Sequence, residues 1–384
     1  MERREKGTGT LIQRKDGQWE GRIRFRDEGN KQVIKYCFAD TKEECEVRMK
    51  ELREECGVID RRECFPEMPF RDWCKLWLRY EKAHISISTY QTYASQIALY
   101  FDDRIGDIPL NEVNVETIGR LYSNLRRNGR SVHVEENGKG VSLGTINTLH
   151  RLMRAIFKKA VIVGVIDRNP AKECSIPKSK YKELYIFSNE EAKELLIRAE
   201  EEGIYLVVLL ALFTGLSRGE IVALRWSDFN FSTGELKVKR LYSCVKGEPT
   251  IAPLQRDSLY RSVFLPKQLM SVVHRYKKES DSLWVFPQKT WVDRDRPTNP
   301  NNFTLAFKRI VRDMGIERAT FNSLRNTFAV QALNHGVDVR TLSCVLGHKS
   351  VRGVMRAYLP LVDQYKRDAA EKIEGAMYDL LNGS

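Results

Sequence analysis

The sequence predicts a multidomain protein that is mainly α-helical and carries small β-sheets. The chain has 384 residues, enough for two or three domains of about 100–200 residues each. Apolar side chains make up 42% of it, which favours packed cores over disorder. Strand-like alternation is confined to short segments, whereas apolar residues elsewhere repeat at helical spacing. We therefore expect helices to form most of the core.

The charge balance and the cysteine pattern narrow the class of protein. Lys and Arg number 64 against 51 Asp and Glu, a net charge of +13, which favours an anionic partner, nucleic acid before a membrane. The longest strongly apolar run, residues 205–216, is too short to span a bilayer, and the charged N-terminus has no secretory signal pattern. No CxxC pair occurs among the eight cysteines. We expect a cytoplasmic, nucleoid-associated protein without a membrane partner; a basic protein with a merely solvated surface is the alternative.

The first predicted domain covers residues 1–62 and begins with strands. Residues 19–26 alternate between apolar and charged side chains, and a turn signal separates them from a second strand at 33–38. A capping box that starts at Thr41 predicts a helix over 41–56. One face of the first strand carries three arginines: Arg22, Arg24 and Arg26. A basic two-stranded ribbon fits a DNA major groove, although a solubilising hairpin face explains these residues equally well.

The second predicted domain, residues 67–177, is helical. Its clearest helix runs from 142 to about 163, where apolar residues recur every three or four positions: Ile146, Leu149, Met153, Ile156, Ala160 and Val163. A different face of that helix carries Arg151, Arg154 and Lys158. Residues 118–160 hold nine Lys or Arg against two Asp or Glu. This excess predicts contacts with DNA phosphates, with a solvated helix face as the alternative.

The third predicted domain, residues 185–384, mixes helices with a small sheet. A buried helix is expected over 204–214, and strands are expected over 235–244 and 262–265. The end of the chain, 361–381, is predicted to form a helix with an apolar stripe that packs on its own domain or on a neighbouring protomer.

Three short motifs in the third domain carry the chemistry. The first runs from Thr214 through Gly215-Leu-Ser-Arg-Gly to Glu220. The second is Ser-Leu-Arg325-Asn-Thr-Phe-Ala, and the third is Leu-Gly-His348-Lys-Ser, followed after ten residues by Tyr358. In this order they resemble the catalytic boxes of the tyrosine recombinases, the family of phage and conjugative-transposon integrases.

The resemblance extends over nearly the whole chain. It implies a three-stranded sheet with one helix that binds arm-site DNA, then a helical domain that binds core-site DNA, then a mixed α/β catalytic domain. It implies double-stranded DNA and a homotetramer on that DNA as partners, leaves room for a directionality factor, and implies no metal or nucleotide cofactor. A site-specific recombinase of a mobile genetic element, an enzyme of DNA integration and recombination, is the function it implies.

The same resemblance assigns catalytic roles. Tyr358 matches the nucleophile that forms a 3′-phosphotyrosine intermediate, Arg325 matches an arginine that clamps the phosphate, and His348 matches a histidine that hydrogen-bonds it. These residue types suit metal-free cleavage of a phosphodiester, which needs a nucleophile and stabilisation of developing negative charge.

The sequence departs from the family at three positions. Ser217 stands where the first box usually has an arginine, Gln255 where the hairpin has the catalytic lysine, and Asn322 where the second box begins with histidine. Serine cannot neutralise a phosphate oxygen, and glutamine is no general acid. Arg218 is the candidate to compensate, although adjacent helix positions differ in direction by about 100°. A catalytically degenerate DNA-binding protein with an accessory or regulatory role is therefore the alternative function.

Overall fold

The computed structural model describes most of the chain as two compact units, which divide between Tyr181 and Lys182. The residues it describes are 9–26, 32–60, 63–130, 134–177, 183–245, 248–254, 260–288, 296–348 and 350–362, with 370, 371, 373, 374 and 377 beyond them. Small antiparallel sheets accompany helices that hold most of the buried residues, so the predicted fold class is confirmed. The division into three domains stays a prediction, because the first two predicted domains lie in one unit.

The first unit begins with a three-stranded antiparallel sheet in the order β1-β2-β3. Its strands are β1 (Thr10–Gln13), β2 (Trp19–Arg26) and β3 (Gln32–Ala39), followed by helix α1 (Lys42–Glu55). Gly21 and Ile23 of β2 are buried on one face, and a side chain at Gly21 would collide with Met49 of α1. Glycine thus lets the helix lie close to the sheet. Thr41 caps α1 by accepting from the amide of Glu44, as the capping box predicts.

A helical bundle completes this unit. It contains α2 (Phe70–Glu81), α3 (Ile87–Ile97), a π-helical turn (Ala98–Asp102), α4 (Asp103–Ile105), α5 (Val115–Asn128), α6 (Val134–Asn137), α7 (Leu143–Val163) and α8 (Pro170–Glu173). Five of the six residues of the predicted α7 stripe are buried, and Val163 is partly exposed at the helix end. Lys159 Nζ donates to the carbonyl of Gly57 at 2.7 Å, and Arg79 pairs with Glu54 at 3.4 Å. These contacts tie the bundle to the end of α1.

The second unit packs helices around a small sheet in the order β4-β5-β8, with a separate hairpin β6-β7. Its helices are α9 (Asn189–Glu201), α10 (Tyr205–Thr214), α11 (Arg218–Val222), α12 (Lys267–Lys278), α13 (Pro300–Asp313), α14 (Phe321–Asn334), α15 (Val339–Leu346) and α16 (Val351–Tyr358). Its strands are β4 (Phe229–Asn230), β5 (Glu235–Val238), β6 (Arg240–Val245), β7 (Glu248–Pro253) and β8 (Arg261–Phe264). Most of α10 is buried, because its side chains are nearly all apolar.

The end of the chain is described only in part. A short 3-10 turn (Leu359–Leu361) follows α16, and the described residues between 370 and 377 are helical. Ile373 and Met377 of the predicted apolar stripe are exposed within this chain, whereas Leu380 and Leu381 lie outside the described residues. Among the described residues, every helix is too short or too polar to cross a membrane.

Candidate active site

Three separate segments of the second unit deliver the predicted catalytic side chains to one place. Arg325 lies on α14, His348 follows α15, and Tyr358 is the last residue of α16. Asp338 caps α15 by accepting from the amides of Arg340 and Thr341 at 2.9 and 3.0 Å. Gly347 ends α15 with a left-handed φ of 71°, a conformation that favours glycine. This turn brings His348 back towards α14.

Arg325 joins the first and third motifs. Its Nη1 donates to the carbonyl of Gly215 at 2.7 Å, and its Nη2 donates to the carbonyl of Leu346 at 2.6 Å. A guanidinium has five N–H donors, so these two bonds leave donors for a ligand. The Arg325 side chain is 13% exposed, and the two carbonyls fix its position.

Tyr358 is almost fully buried, and its hydroxyl donates to Asn326 Oδ1 at 3.1 Å. Burial raises the pKa of the phenol above its ordinary value, although the charge and hydrogen bond of Arg325 lower it. The nucleophile predicted by the motif spacing is therefore held as a neutral phenol beside a cation.

His348 lies next to Arg325, with 3.5 Å between His348 Nε2 and Arg325 Nη2. Burial lowers the pKa of this imidazole, and the charges of Arg325 and Arg261 lower it further. His348 is thus neutral at pH 7, and a neutral imidazole can still donate one hydrogen bond to a phosphate oxygen.

Two further residues of the site received no role from the sequence. Glu220 is buried and accepts from Arg261 Nη1 at 2.6 Å and from the Ser217 amide at 2.7 Å. It also lies 3.8 Å from Arg325 Nη1, and Arg261 Nε donates to the carbonyl of Val345 at 2.5 Å. One carboxylate therefore holds two guanidinium groups. The only sequence signal was that Glu220 ends the first motif.

Replacing Glu220 with glutamine is expected to destabilise the second unit by about 3–5 kcal/mol, because two buried cations lose their counter-charge. Burial raises the pKa of Glu220, but the hydrogen bond and charge of Arg261 outweigh it, so the pKa lies below its usual value. A lowered carboxyl pKa stabilises the fold above the unfolded pKa of about 4.3, and this contribution is lost as the pH falls through the folded pKa.

Urea unfolding of the wild type and the Glu220→Gln variant at pH 7 and below pH 4 measures this difference. We expect the gap between the two proteins to narrow at the lower pH. Glu194→Gln is the matched control, because Glu194 pairs with Arg198 on the surface of α9 and is expected to change stability by about 0.5 kcal/mol or less. An equal effect of both substitutions would contradict the prediction.

Neither Ser217 nor Arg218 supplies a second positive charge beside Arg325 in this structure. Ser217 is the N-cap of α11 and forms a capping box with Glu220. The Arg218 guanidinium points to α13, where it donates to the side chains of Thr304 and Asn301, the latter at 3.4 Å. The two residues are adjacent at a helix start, so their side chains diverge. Compensation by Arg218 therefore requires its guanidinium to leave α13.

Of the other two positions that depart from the family, the structure describes Asn322 but not Gln255. Asn322 Nδ2 donates to Asn326 Oδ1 at 3.4 Å, so Asn322 adjoins the residue that binds the Tyr358 hydroxyl. Gln255 lies outside the described residues. Asn326 directly follows Arg325 in the second motif. Helical periodicity predicts which residues are buried, but it does not predict which buried group each of them contacts.

The predicted DNA-binding residues lie in the first unit. Arg24 is exposed on β2, while Arg22 pairs with Glu20 at 3.2 Å and lies over the ring of Tyr36. The side chain of Arg26 lies outside the described residues. On α7 the three predicted basic residues are exposed on one face: Arg151, Arg154 and Lys158. Their roles stay predictions.

Other candidate sites are few in the part of the chain that the structure describes. There, no group of three or more His, Cys, Asp or Glu side chains could hold a metal ion. A cavity of about 310 Å³ is lined by Arg225, Trp226 and Lys277 among others, and it includes none of the predicted catalytic residues.

Known proteins resemble this chain along most of its length. Residues 176–364 match the phage integrase family, and residues 69–126 match the N-terminal SAM-like domain of phage integrases. A XerC-like tyrosine recombinase from Caldanaerobacter subterraneus subsp. tengcongensis is 25% identical over 91% of this chain and 93% of its own. The ICEBs1 integrase of Bacillus subtilis is 22% identical over 61% of this chain and 66% of its own.

Solved structures show the same fold. The integrase of transposon Tn1549, in complex with a circular intermediate DNA, matches 80% of this chain and 99% of its own with a TM-score of 0.68 and 17% identity. A lambda integrase dimer bound to a core site matches 93% of this chain and 96% of its own with a TM-score of 0.56 and 17% identity. Two integrase domains matched in order, with similarity to tyrosine recombinases over most of the chain, show that this protein belongs to the phage integrase family of tyrosine recombinases.

Proposed function

We propose that this protein is a site-specific DNA recombinase that cleaves and rejoins DNA strands through Tyr358. The observation that carries the proposal is the convergence of Tyr358, Arg325 and His348 from three separate segments of the chain at one site. A chance meeting of these three residue types is a poor explanation, because each lies in a motif of the family and at the spacing the family uses.

The cleavage step follows from the chemistry of these groups. The Tyr358 oxygen forms a bond to the phosphorus of a DNA phosphodiester, and the bond from phosphorus to the 5′ oxygen breaks. A 3′-phosphotyrosine and a 5′-hydroxyl result, with a net proton transfer from the phenol to the leaving oxygen. Because the phosphotyrosine keeps the energy of the phosphodiester, attack by a 5′-hydroxyl reverses the step and rejoins a strand.

Arg325 and His348 stabilise the phosphate during this step. The guanidinium of Arg325 has more N–H donors than the two that bind carbonyls, and a guanidinium binds phosphate oxygens through paired hydrogen bonds. His348 adds a donor beside it. Arg325 is positioned before the substrate arrives, since backbone carbonyls hold it, and preorganised donors contribute strongly to catalysis.

Double-stranded DNA is the partner that the surface chemistry favours. The exposed Arg24 of β2 and the basic face of α7 offer phosphate contacts. Lambda integrase has been seen as a dimer on a core site and as a tetramer on a Holliday junction, and we extend a homotetramer on DNA to this chain. The basic surfaces bind the duplex, and the second unit acts on one phosphate.

A DNA-binding protein with little or no cleavage activity is the second candidate. Ser217 supports it, because its hydroxyl caps α11 where the family usually has a guanidinium. The guanidinium of Arg218 is bound to α13 and would have to leave that helix to replace the missing charge. The site then stabilises the phosphate with one arginine fewer, and loss of one such contact costs about 10²–10³ in rate.

A covalent-complex assay separates the two functions. Binding sites are selected from random duplex DNA with the full-length protein, and the selected duplex is nicked close to the cleaved bond so that the short 5′-hydroxyl fragment diffuses away. We expect a protein–DNA band that survives denaturation. A protein that binds the selected DNA but never forms the band is no recombinase.

The Ser217→Arg variant belongs to the same assay. We expect it to raise the rate of covalent complex formation by about 10²-fold, despite the loss of the serine cap on α11. Ser271→Arg, which adds the same charge on the exposed face of α12, is the control for non-specific DNA binding. A band only in the Ser217→Arg protein would establish the second candidate, a degenerate site.

A further inference from the structure

We propose that Asn326 is a positioning residue that holds the proposed nucleophile Tyr358 in its protonated form in the free protein. The inference rests on the proposed function, because it concerns when Tyr358 is able to attack a phosphate. Asn326 received no role from the sequence motifs.

The geometry places the buried amide of Asn326 between two polar side chains, those of the buried Tyr358 and the exposed Asn322. Asn326 is 4% exposed and Tyr358 is 5% exposed. The Oδ1 atom of Asn326 accepts from the Tyr358 hydroxyl at 3.1 Å and from Asn322 Nδ2 at 3.4 Å. Both bonds direct hydrogens at the same oxygen, so the amide is oriented with its acceptor towards the phenol.

An amide oxygen can accept a hydrogen bond but cannot donate one. It therefore favours the phenol over the phenolate, because a phenolate in this place would face the lone pairs of Oδ1 with no hydrogen between them. The buried surroundings act in the same direction, since they disfavour a charged oxygen. The hydroxyl must give up this bond before it reacts with phosphorus.

The charged groups around the phenol have opposing effects. Arg325 on α14 faces it and favours the phenolate. Behind Arg325 stand Glu220 of α11, Arg261 of β8 and His348. The two arginines on α16 itself, Arg352 and Arg356, are exposed. Burial and the acceptor Asn326 thus oppose Arg325, and together these three influences set the pH at which Tyr358 ionises.

The test reads the ionisation of Tyr358 directly. The full-length protein carries 3-fluorotyrosine at position 358, and its fluorine resonance is followed by NMR as the pH is raised. In Asn326→Leu the phenol loses its acceptor, so we expect its pKa to fall by about half to one pH unit. In Asn326→Asp a carboxylate accepts more strongly and repels the phenolate, so we expect the pKa to rise.

Opposite pKa shifts in the two variants distinguish positioning from a structural role. A purely structural role would shift the Tyr358 pKa in the same direction in both variants. Asn334→Leu and Asn334→Asp are the matched controls, because Asn334 is exposed at the end of the same helix, and neither should move the resonance. Unchanged or equally shifted pKa values in both Asn326 variants would overturn the proposal. If Asn326→Leu fails to fold, the Asn326→Asp variant alone decides: a raised Tyr358 pKa supports the proposal, and an unchanged or lowered pKa overturns it.

The covalent-complex assay supplies the link to function. With the nicked duplex, the pH profile of complex formation in Asn326→Leu should move to lower pH by the same amount as the phenol pKa. If the wild type forms no covalent complex, the proposed function fails, whereas the titration still decides whether Asn326 controls the phenol. If complex forms but its pH profile does not follow the titration, the role of Asn326 in catalysis is refuted.

Discussion

Replacement of Tyr358 by phenylalanine is expected to reduce covalent complex formation to an undetectable level while DNA binding stays intact. Phenylalanine keeps the ring among its buried neighbours, which include Val354 and Leu346, so the core stays filled. The hydroxyl is lost together with its bond to Asn326 and its interaction with Arg325, and each lost bond costs about 1 kcal/mol of stability. The reaction, in contrast, loses its nucleophile entirely.

The measurement compares the denaturation-resistant band with the shift of the same DNA in a native gel. Tyr365→Phe is the matched control, because Tyr365 is the other tyrosine close in sequence to the third motif. The Tyr365→Phe protein should form the complex at the wild-type rate. A complex that persists in Tyr358→Phe and disappears in Tyr365→Phe would transfer the role of nucleophile to Tyr365.

Replacement of Arg325 by lysine is expected to lower the cleavage rate by about 10²–10³-fold although the positive charge is kept. The Arg325 guanidinium spans two backbone carbonyls, those of Gly215 and Leu346. An ammonium group is a point charge on a flexible stem and cannot reproduce a forked set of bonds. It would leave a buried carbonyl unpaired and would bind the phosphate through fewer donors.

Single-turnover cleavage of the nicked duplex gives this rate, and urea unfolding gives the accompanying loss of stability, about 1–3 kcal/mol for the unpaired carbonyl. Arg198→Lys is the control, since Arg198 makes a surface pair with Glu194 on α9. Cleavage by Arg325→Lys at the wild-type rate would mean that charge alone suffices and that the forked geometry has no role.

Local patterns in the sequence were sufficient for much of the fold. The alternation of residues 19–26 predicted β2 at its observed bounds, and the apolar repeat of residues 146–163 predicted the buried side of α7. The capping residue Thr41 marked the start of α1. The three-stranded form of the first sheet came from the family resemblance, because β1 is only four residues long and short strands carry a weak alternation signal.

The candidate site was likewise predictable in part from local patterns in the sequence. The order and spacing of the motifs were enough to group Arg325, His348 and Tyr358, which the fold brings together. Sequence reasoning left the direction of Arg218 open, and its guanidinium binds α13. It also missed Glu220 as the counter-ion of two arginines and Asn326 as the acceptor of the Tyr358 hydroxyl.

The sequence by itself determined the fold class, the family and the three side chains of the proposed chemistry, since periodicity and motif spacing are properties of neighbouring residues. Only the tertiary structure decided which groups surround those side chains. Glu220, Arg261 and Arg325 are far apart along the chain, and Tyr358 meets Asn326 across 32 positions. Burial then determines the charge state of each group, because an ionised side chain without water is stable only beside a partner. The protonation state of Tyr358 is therefore a property of the folded chain.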